Sequence, residues 1–154
     1  MTSPSAALPH IDEHATLIEA GSQATWDALL RVVEGSVSAG GASGFARALG
    51  CADTAAAGPR PLAEGSAFPG FHVEAATEGR ELALAGSHRF SAYSLIFRLD
   101  DLDAGGTRLR AETRADFPGL RGEAYKTMVI RTRGHVLVTR RLLGATKRRA
   151  ERAR

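Results

Sequence analysis

Between Phe71 and Phe117 the chain divides into four stretches, Phe71–Thr77, Arg80–Ala85, His88–Leu99 and Thr107–Phe117, joined by Glu78-Gly79, Gly86-Ser87 and Asp103–Gly106. Each stretch is strand-length and each joint carries glycine, the pattern of tight hairpin connections in an antiparallel meander. The alternation is cleanest in Thr107–Ala115, where Arg108, Arg110, Glu112 and Arg114 share one parity and Leu109, Ala111, Thr113 and Ala115 the other. One face of such a sheet meets water and the opposite face is covered. Pro118 and Gly119 end the last strand. From Leu120 onward Ala124, Met128, Leu137, Leu142 and Leu143 mark the apolar positions of one helical pattern about 30 residues long. Gly134 falls inside it, where it costs roughly 1 kcal/mol relative to Ala and marks a kink or leaves room for a group against the helix.

Upstream, His10–Glu19 reads as a strand, with Ile11, Ala15 and Leu17 on one parity and Thr16 and Ile18 on the other. Gly21 and Ser22 break it, and Trp26, Leu29, Leu30 and Val33 recur at helical steps that stop near Gly35. Ser36–Gly70, rich in Gly, Ala, Ser and Pro, reads as a mobile connection able to act as a lid, with one short helix at Gly44–Leu49. Residues 1–9 read as a disordered lead-in. With 154 residues, the chain is expected to be a single α+β domain over 10–150, followed by a basic tail end at 151–154.

The order strand, helix, Gly/Pro-rich connection, antiparallel meander and long C-terminal helix is similar to that of the helix-grip fold. The segment Thr16-Leu17-Ile18-Glu19-Ala20, the turn Gly21-Ser22-Gln23-Ala24, and Trp26 with Leu29 and Leu30 resemble the opening of the START-like SRPBCC superfamily. This chain has Gly21 where the family usually has proline. The resemblance covers residues 10–150. It implies a curved antiparallel sheet gripping the long helix, with an apolar cavity between them, as in lipid-transfer proteins, birch pollen allergen relatives and polyketide cyclases. The family's site is a cavity rather than a fixed motif, so the residues themselves must supply the candidates.

A single cysteine, Cys51, excludes an internal disulfide and a four-thiolate zinc site, and a reducing, cytoplasmic setting is the default. Met1–Pro9 has no signal-peptide pattern, and no run approaches the roughly 18 apolar residues of a membrane span. Charge is polarised: residues 119–154 carry +9 and the first 118 carry −6. A basic helix end invites binding to nucleic acid or another anionic surface, but it also complements the helix dipole without any partner. No aromatic residue lies among Lys147–Arg154 to stack on bases.

Histidine is the first candidate for proton transfer near neutral pH. His14 falls in the first strand, His72 and His88 in the meander and His135 beside Gly134, and none has metal-ligand spacing. His135 and His88 are the candidate acid–base residues. For each, an exposed or hydrogen-bonded structural histidine is the plainer alternative. Tyr93 and Tyr125 can orient a ligand through their hydroxyls or simply pack. The expected pocket lies between a sheet face of Phe90, Tyr93, Leu95, Phe97, Leu109 and Ala111 and a helix face of Tyr125, Met128 and Val129. It calls for a small hydrophobic or amphipathic ligand such as a lipid or polyketide, with no cofactor and no metal. A cyclase- or dehydratase-like enzyme using the same His and Tyr is the second reading, and a basic-helix interaction module the third.

Overall fold

A computed structural model describes residues 4–37 and 42–153. The elements run β1 (His10–Ile18), α1 (Ser22–Val37), α2 (Ala42–Leu49), β2 (Ala67–Phe68), β3 (Phe71–Thr77), β4 (Glu81–His88), β5 (Ser91–Asp101), β6 (Thr107–Asp116), α3 (Gly119–Thr132) and α4 (Gly134–Arg152). All six strands form one antiparallel sheet in the order β1-β6-β5-β4-β3-β2. The first strand therefore pairs with the last, and α4 packs against α1, β1 and β6.

The covered face of β6 is the one its alternation marks: Leu109 and Ala111 are fully buried and Ala115 nearly so. They join Trp26, Leu29 and Val33 of α1, Leu82 and Leu84 of β4, Phe97 and Leu99 of β5, and Leu142, Leu143 and Ala150 of α4 in one core. Thr139 and Thr146 of α4 are also buried, each hydroxyl donating back to the carbonyl four residues earlier, on His135 and Leu142. That local bond satisfies a hydroxyl which would otherwise be buried unpaired. At the basic end, the Lys147 ammonium donates to the Leu17 carbonyl and to Glu151, and Glu151 accepts from the Glu19 backbone N–H, so α4 is stapled to the end of β1.

Three expectations need correction. The hairpin after Arg80–Ala85 does not turn at Gly86-Ser87: β4 continues to His88, and Arg89-Phe90 form the turn. Gly86 is demanded by packing instead, since a Cβ there would lie 2.2 Å from the Gly70 carbonyl oxygen and 2.6 Å from Cε2 of Tyr93. The long helix is also two helices. They are divided at Arg133, which takes a left-handed conformation (φ 51°) that side-chain-bearing residues adopt rarely. Finally, residues 4–9 are not a disordered lead-in. Pro4–Ala7 form a 3-10 turn in which buried Ser5 donates its N–H and hydroxyl to the Glu74 carboxylate, while Arg114 donates to the carbonyls of Ala6 and Leu8.

The Gly/Pro-rich connection is likewise pinned rather than free over its described residues. Leu62 enters the core, buried Ser66 donates to the Pro59 carbonyl, and Arg60 pairs with Glu34 at 3.0 Å. Residues 38–41 and the side chain of Phe45 lie outside the described residues.

Candidate functional site

The register of the sheet divides its inner face into two rows. Phe97 pairs with Ala111 and Leu99 with Leu109, and these four side chains press into the solid core. Two residues further along the same strands, Leu95 pairs with Thr113 and Tyr93 with Ala115, and this row faces a cavity of about 400 Å³. Val138 and Thr139 of α4 close it from above, Phe117 and Tyr125 from the α3 side, Ile11 from β1, and Leu49, Cys51, Pro69, Gly70 and Phe71 from the connection and the start of β3.

Of the sequence candidates, Tyr93, Leu95, Tyr125, His88 and His135 line this space. Phe97, Leu109 and Ala111 do not: they share its parity but lie in the core row, where α1 and the far half of α4 fill the volume. Met128 faces solvent at 55% exposure, so the α3 face it occupies is not the cavity face. The Val129 side chain lies outside the described residues. Phe90 does not line the cavity but stacks on Tyr125, with centroids 5.5 Å apart and planes at 23°.

Rings line one end. Tyr125 meets His88 edge-on at 4.8 Å and lies 6.2 Å from Phe117, while Tyr93 is 5.5 Å from His88 and 5.1 Å from Phe71. Because Gly86 has no side chain, Tyr93 reaches across β4 and donates its hydroxyl proton to the Gly70 carbonyl at 2.6 Å. Burial, the neighbouring Cys51 thiol and the nearby Tyr125 push its ionisation up, so the phenol stays neutral and its proton stays committed. It cannot readily polarise a ligand carbonyl. Tyr125 differs: burial and Cys51 also raise its pKa, but its hydroxyl has no hydrogen-bond partner among the described residues. It is the available donor at this end.

His88 is occupied as well. Its Nδ1 accepts from the Phe90 backbone N–H at 3.1 Å and its Nε2 lies 3.3 Å from the Ser91 hydroxyl, so the ring braces the β4–β5 turn. Burial lowers its pKa and favours the neutral ring.

The opposite end is polar. His135, in the first turn of α4, places Nε2 2.8 Å from Asp12 Oδ2 on β1, and His14 Nε2 approaches the same oxygen at 3.4 Å. A register shift between His10 and Asp12 brings Ile11 to the cavity wall next to an inward carboxylate. Such bulges re-aim side chains near sites. Among the described residues, no group of three or more His, Cys, Asp or Glu is placed to hold a metal ion.

Asp12, Thr113, Cys51 and Thr139 were not among the sequence candidates. Two of them carried a signal. Asp12 shares the parity of Ile18, a residue with 1% exposure, and Thr113 is the polar member of the covered face of β6. Cys51 and Thr139 reach the cavity only through tertiary packing.

On the outer face, Glu112 is buried beneath Arg98 and Arg114. Its carboxylate accepts from Arg98 Nη1 at 2.6 Å, lies 2.6 Å from Arg114 Nε, and meets His10 Nδ1 at 3.0 Å. Burial alone would raise its pKa, but the bonds from Arg98 and His10 and the two guanidinium charges outweigh that and hold it at about 2. Arg98 thus belongs to the outer face, and Glu112 is a cross-strand structural ion pair rather than part of the site.

No family model matches the chain, and no curated protein does. Solved structures do match. The chain superposes on the ZhuI aromatase/cyclase from Streptomyces sp. R1128 with a TM-score of 0.56 at 15% identity, covering 94% of each chain. It superposes on protein CV1439 from Chromobacterium violaceum at 0.54 and 10% identity, covering 93% of this chain and 99% of that one. Against protein Ms6760 from Mycobacterium smegmatis the values are 0.50 and 9%, covering 94% and 96%. At such identities the likeness concerns fold. The six-stranded antiparallel sheet, the C-terminal helix packed against it and these superpositions together give the chain the helix-grip fold.

Proposed function

We propose that the protein binds a small hydrophobic or amphipathic molecule in the cavity between the Tyr93–Leu95 row and α4. The observation that carries this reading is the cavity itself. At about 400 Å³ it is of the size small-molecule sites have, and its walls are aromatic and aliphatic with polar atoms gathered at two places. Burial of apolar ligand surface supplies the affinity at roughly 25 cal/mol per Å², and the polar atoms supply orientation. No described helix is long and apolar enough to cross a membrane. We place the protein in the cytoplasm on the strength of its lone, unpaired cysteine.

The test is native mass spectrometry of the protein from its host, then denaturing extraction, with a Leu95→Trp variant that fills the cavity. A stoichiometric apolar molecule present in the wild type and missing from the folded variant is the expected result. Equal retention by both would refute the assignment.

A second reading, acid–base catalysis of the cyclase or dehydratase kind, is favoured by the Asp12–His135 pair. Asp12 Oδ2, 2.8 Å from Nε2, orients the His135 ring at the polar end of the cavity, and the Tyr125 hydroxyl lines the other end, where it can polarise a carbonyl. A His135→Gln variant that keeps ligand affinity but loses turnover would separate the two readings.

A further inference from the structure

The buried residues of α4, from Thr139 to Ala150, recur on one side of the helix. With about 100° between successive residues, the opposite side carries Leu137, Val138, Arg141, Arg148 and Arg152 within one arc of about 100°, flanked by Arg140 and Arg149. All seven are exposed, Leu137 by 53% and Val138 by 55%. Among the described residues none of the five arginines is in an ion pair, and their one side-chain hydrogen bond runs from Arg152 Nε to the Arg148 carbonyl. Glu151, the one carboxylate of the helix, is held by Lys147 and by the Glu19 backbone N–H.

The helix dipole favours cations in the last turn, which accounts for Arg149 and Arg152. It does not reach Arg140 and Arg141, which lie about two turns further in. Like charges four residues apart, as in Arg148 and Arg152, oppose the helix rather than support it. This face therefore complements an anionic partner better than it serves α4 itself. Two observations favour a lipid surface over a nucleic acid. The same arc carries Leu137 and Val138, which acyl chains can bury and a row of phosphates cannot. No aromatic residue lies among Lys147–Arg154 to stack on bases. Arginine suits the lipid boundary: its stem lies along apolar surface while the guanidinium stays at the level of the phosphates.

We propose that α4 docks by this face on an anionic lipid bilayer, with Arg141, Arg148 and Arg152 among the headgroups and Leu137 at the acyl boundary. Val138 belongs both to this face and to the cavity wall, so docking brings the cavity beside the bilayer. The docking face stands on charge and exposure alone, and the mass-spectrometry result for the cavity neither supports nor removes it.

The probes are large unilamellar vesicles of phosphatidylcholine alone and of an equal mixture of phosphatidylcholine and phosphatidylglycerol, co-sedimented with the full-length protein. Wild type is expected to bind the mixed vesicles and not the neutral ones, and to be released by high salt. One basic residue near an anionic surface is worth about fivefold in partitioning, so Arg141→Gln/Arg148→Gln is expected to bind about 25-fold more weakly. Leu137→Gln is expected to bind about fivefold more weakly, the worth of burying part of a leucine side chain. All three positions are exposed, and circular dichroism checks that each variant keeps the wild-type fold. Failure of the wild type to bind the mixed vesicles, or equal binding by the double variant, would overturn the docking face. Leu137→Gln binding as tightly as wild type, or tighter binding of wild type to duplex DNA than to the mixed vesicles at the same salt, would overturn the lipid assignment in favour of a nucleic acid.

Discussion

Replacing Gly86 with alanine tests the arrangement on which one whole wall of the cavity depends. The added Cβ would lie 2.2 Å from the Gly70 carbonyl oxygen and 2.6 Å from the Tyr93 ring, against an ordinary separation of about 3.5–4 Å. Neither neighbour is the loose end of a flexible chain, so the ring and the turn before β3 must both retreat. Overpacking of this kind costs about 1–3 kcal/mol, and loss of the 2.6 Å bond from Tyr93 to Gly70 adds about 1 kcal/mol. The sum is about 2–4 kcal/mol. For a chain of this length that corresponds to a fall in Tm on the order of 5–15 °C, read by circular dichroism or calorimetry. Tyr93→Phe alone loses only the bond, about 1 kcal/mol. In the Gly86→Ala/Tyr93→Leu double variant the ring clash is gone, so the two penalties are expected to fall short of additivity by about 1 kcal/mol or more. A Gly86→Ala protein melting within about 2 °C of wild type, or a strictly additive pair, would refute the account of why glycine stands there.

The Glu112 cluster gives a pH dependence of defined sign. Its folded pKa of about 2 lies below the ordinary 4.5, so its contribution is fully present above pH 4.5 and is lost as pH falls toward 2. With Arg98 and Arg114 about a quarter exposed and partly screened, the contribution is on the order of 2–3 kcal/mol. Urea titrations of Glu112→Gln and wild type should therefore converge near pH 2, and a constant gap from pH 7 to pH 2 would contradict the assignment. Phe97→Ala, in the core row, should cost about 3–5 kcal/mol, whereas Leu95→Ala, which enlarges a space already present, should cost well under half of that; similar losses would deny the two-row division. Cys51 lines the cavity, so its alkylation by iodoacetamide should slow when a small aromatic probe such as 2-naphthol occupies the site, and an unchanged rate would place the ligand elsewhere.

The order of elements and the covered parity of β6 were readable because both rest on local periodicity: Leu109, Ala111, Thr113 and Ala115 alternate without interruption. What failed did so where a residue answers to a partner distant in sequence. Gly86 looks like a turn residue until Gly70 and Tyr93 are beside it. The helix break looks as though it belongs at Gly134, yet Arg133 carries the left-handed conformation and Gly134 begins the next helix. His135 was singled out for the space beside it, whereas what distinguishes it is Asp12, 123 residues away in the chain. Parity correctly placed Phe97 and Leu109 on the inner face. It could not say how far along the strand the solid core gives way to empty volume, because α1 and the far half of α4 decide that.

The division of the inner face also bears on how such a chain can change over time. The residues that hold the fold together and those that touch the cavity lie on the same strands, two positions apart, yet they press on different neighbours. A substitution at Leu95, Thr113 or Ala115 alters the shape and polarity of the cavity while Phe97, Leu99, Leu109 and Ala111 keep their packing. Ligand preference can then drift with little loss of stability, one residue at a time, under a scaffold whose sequence is itself free to diverge wherever volume and parity are kept.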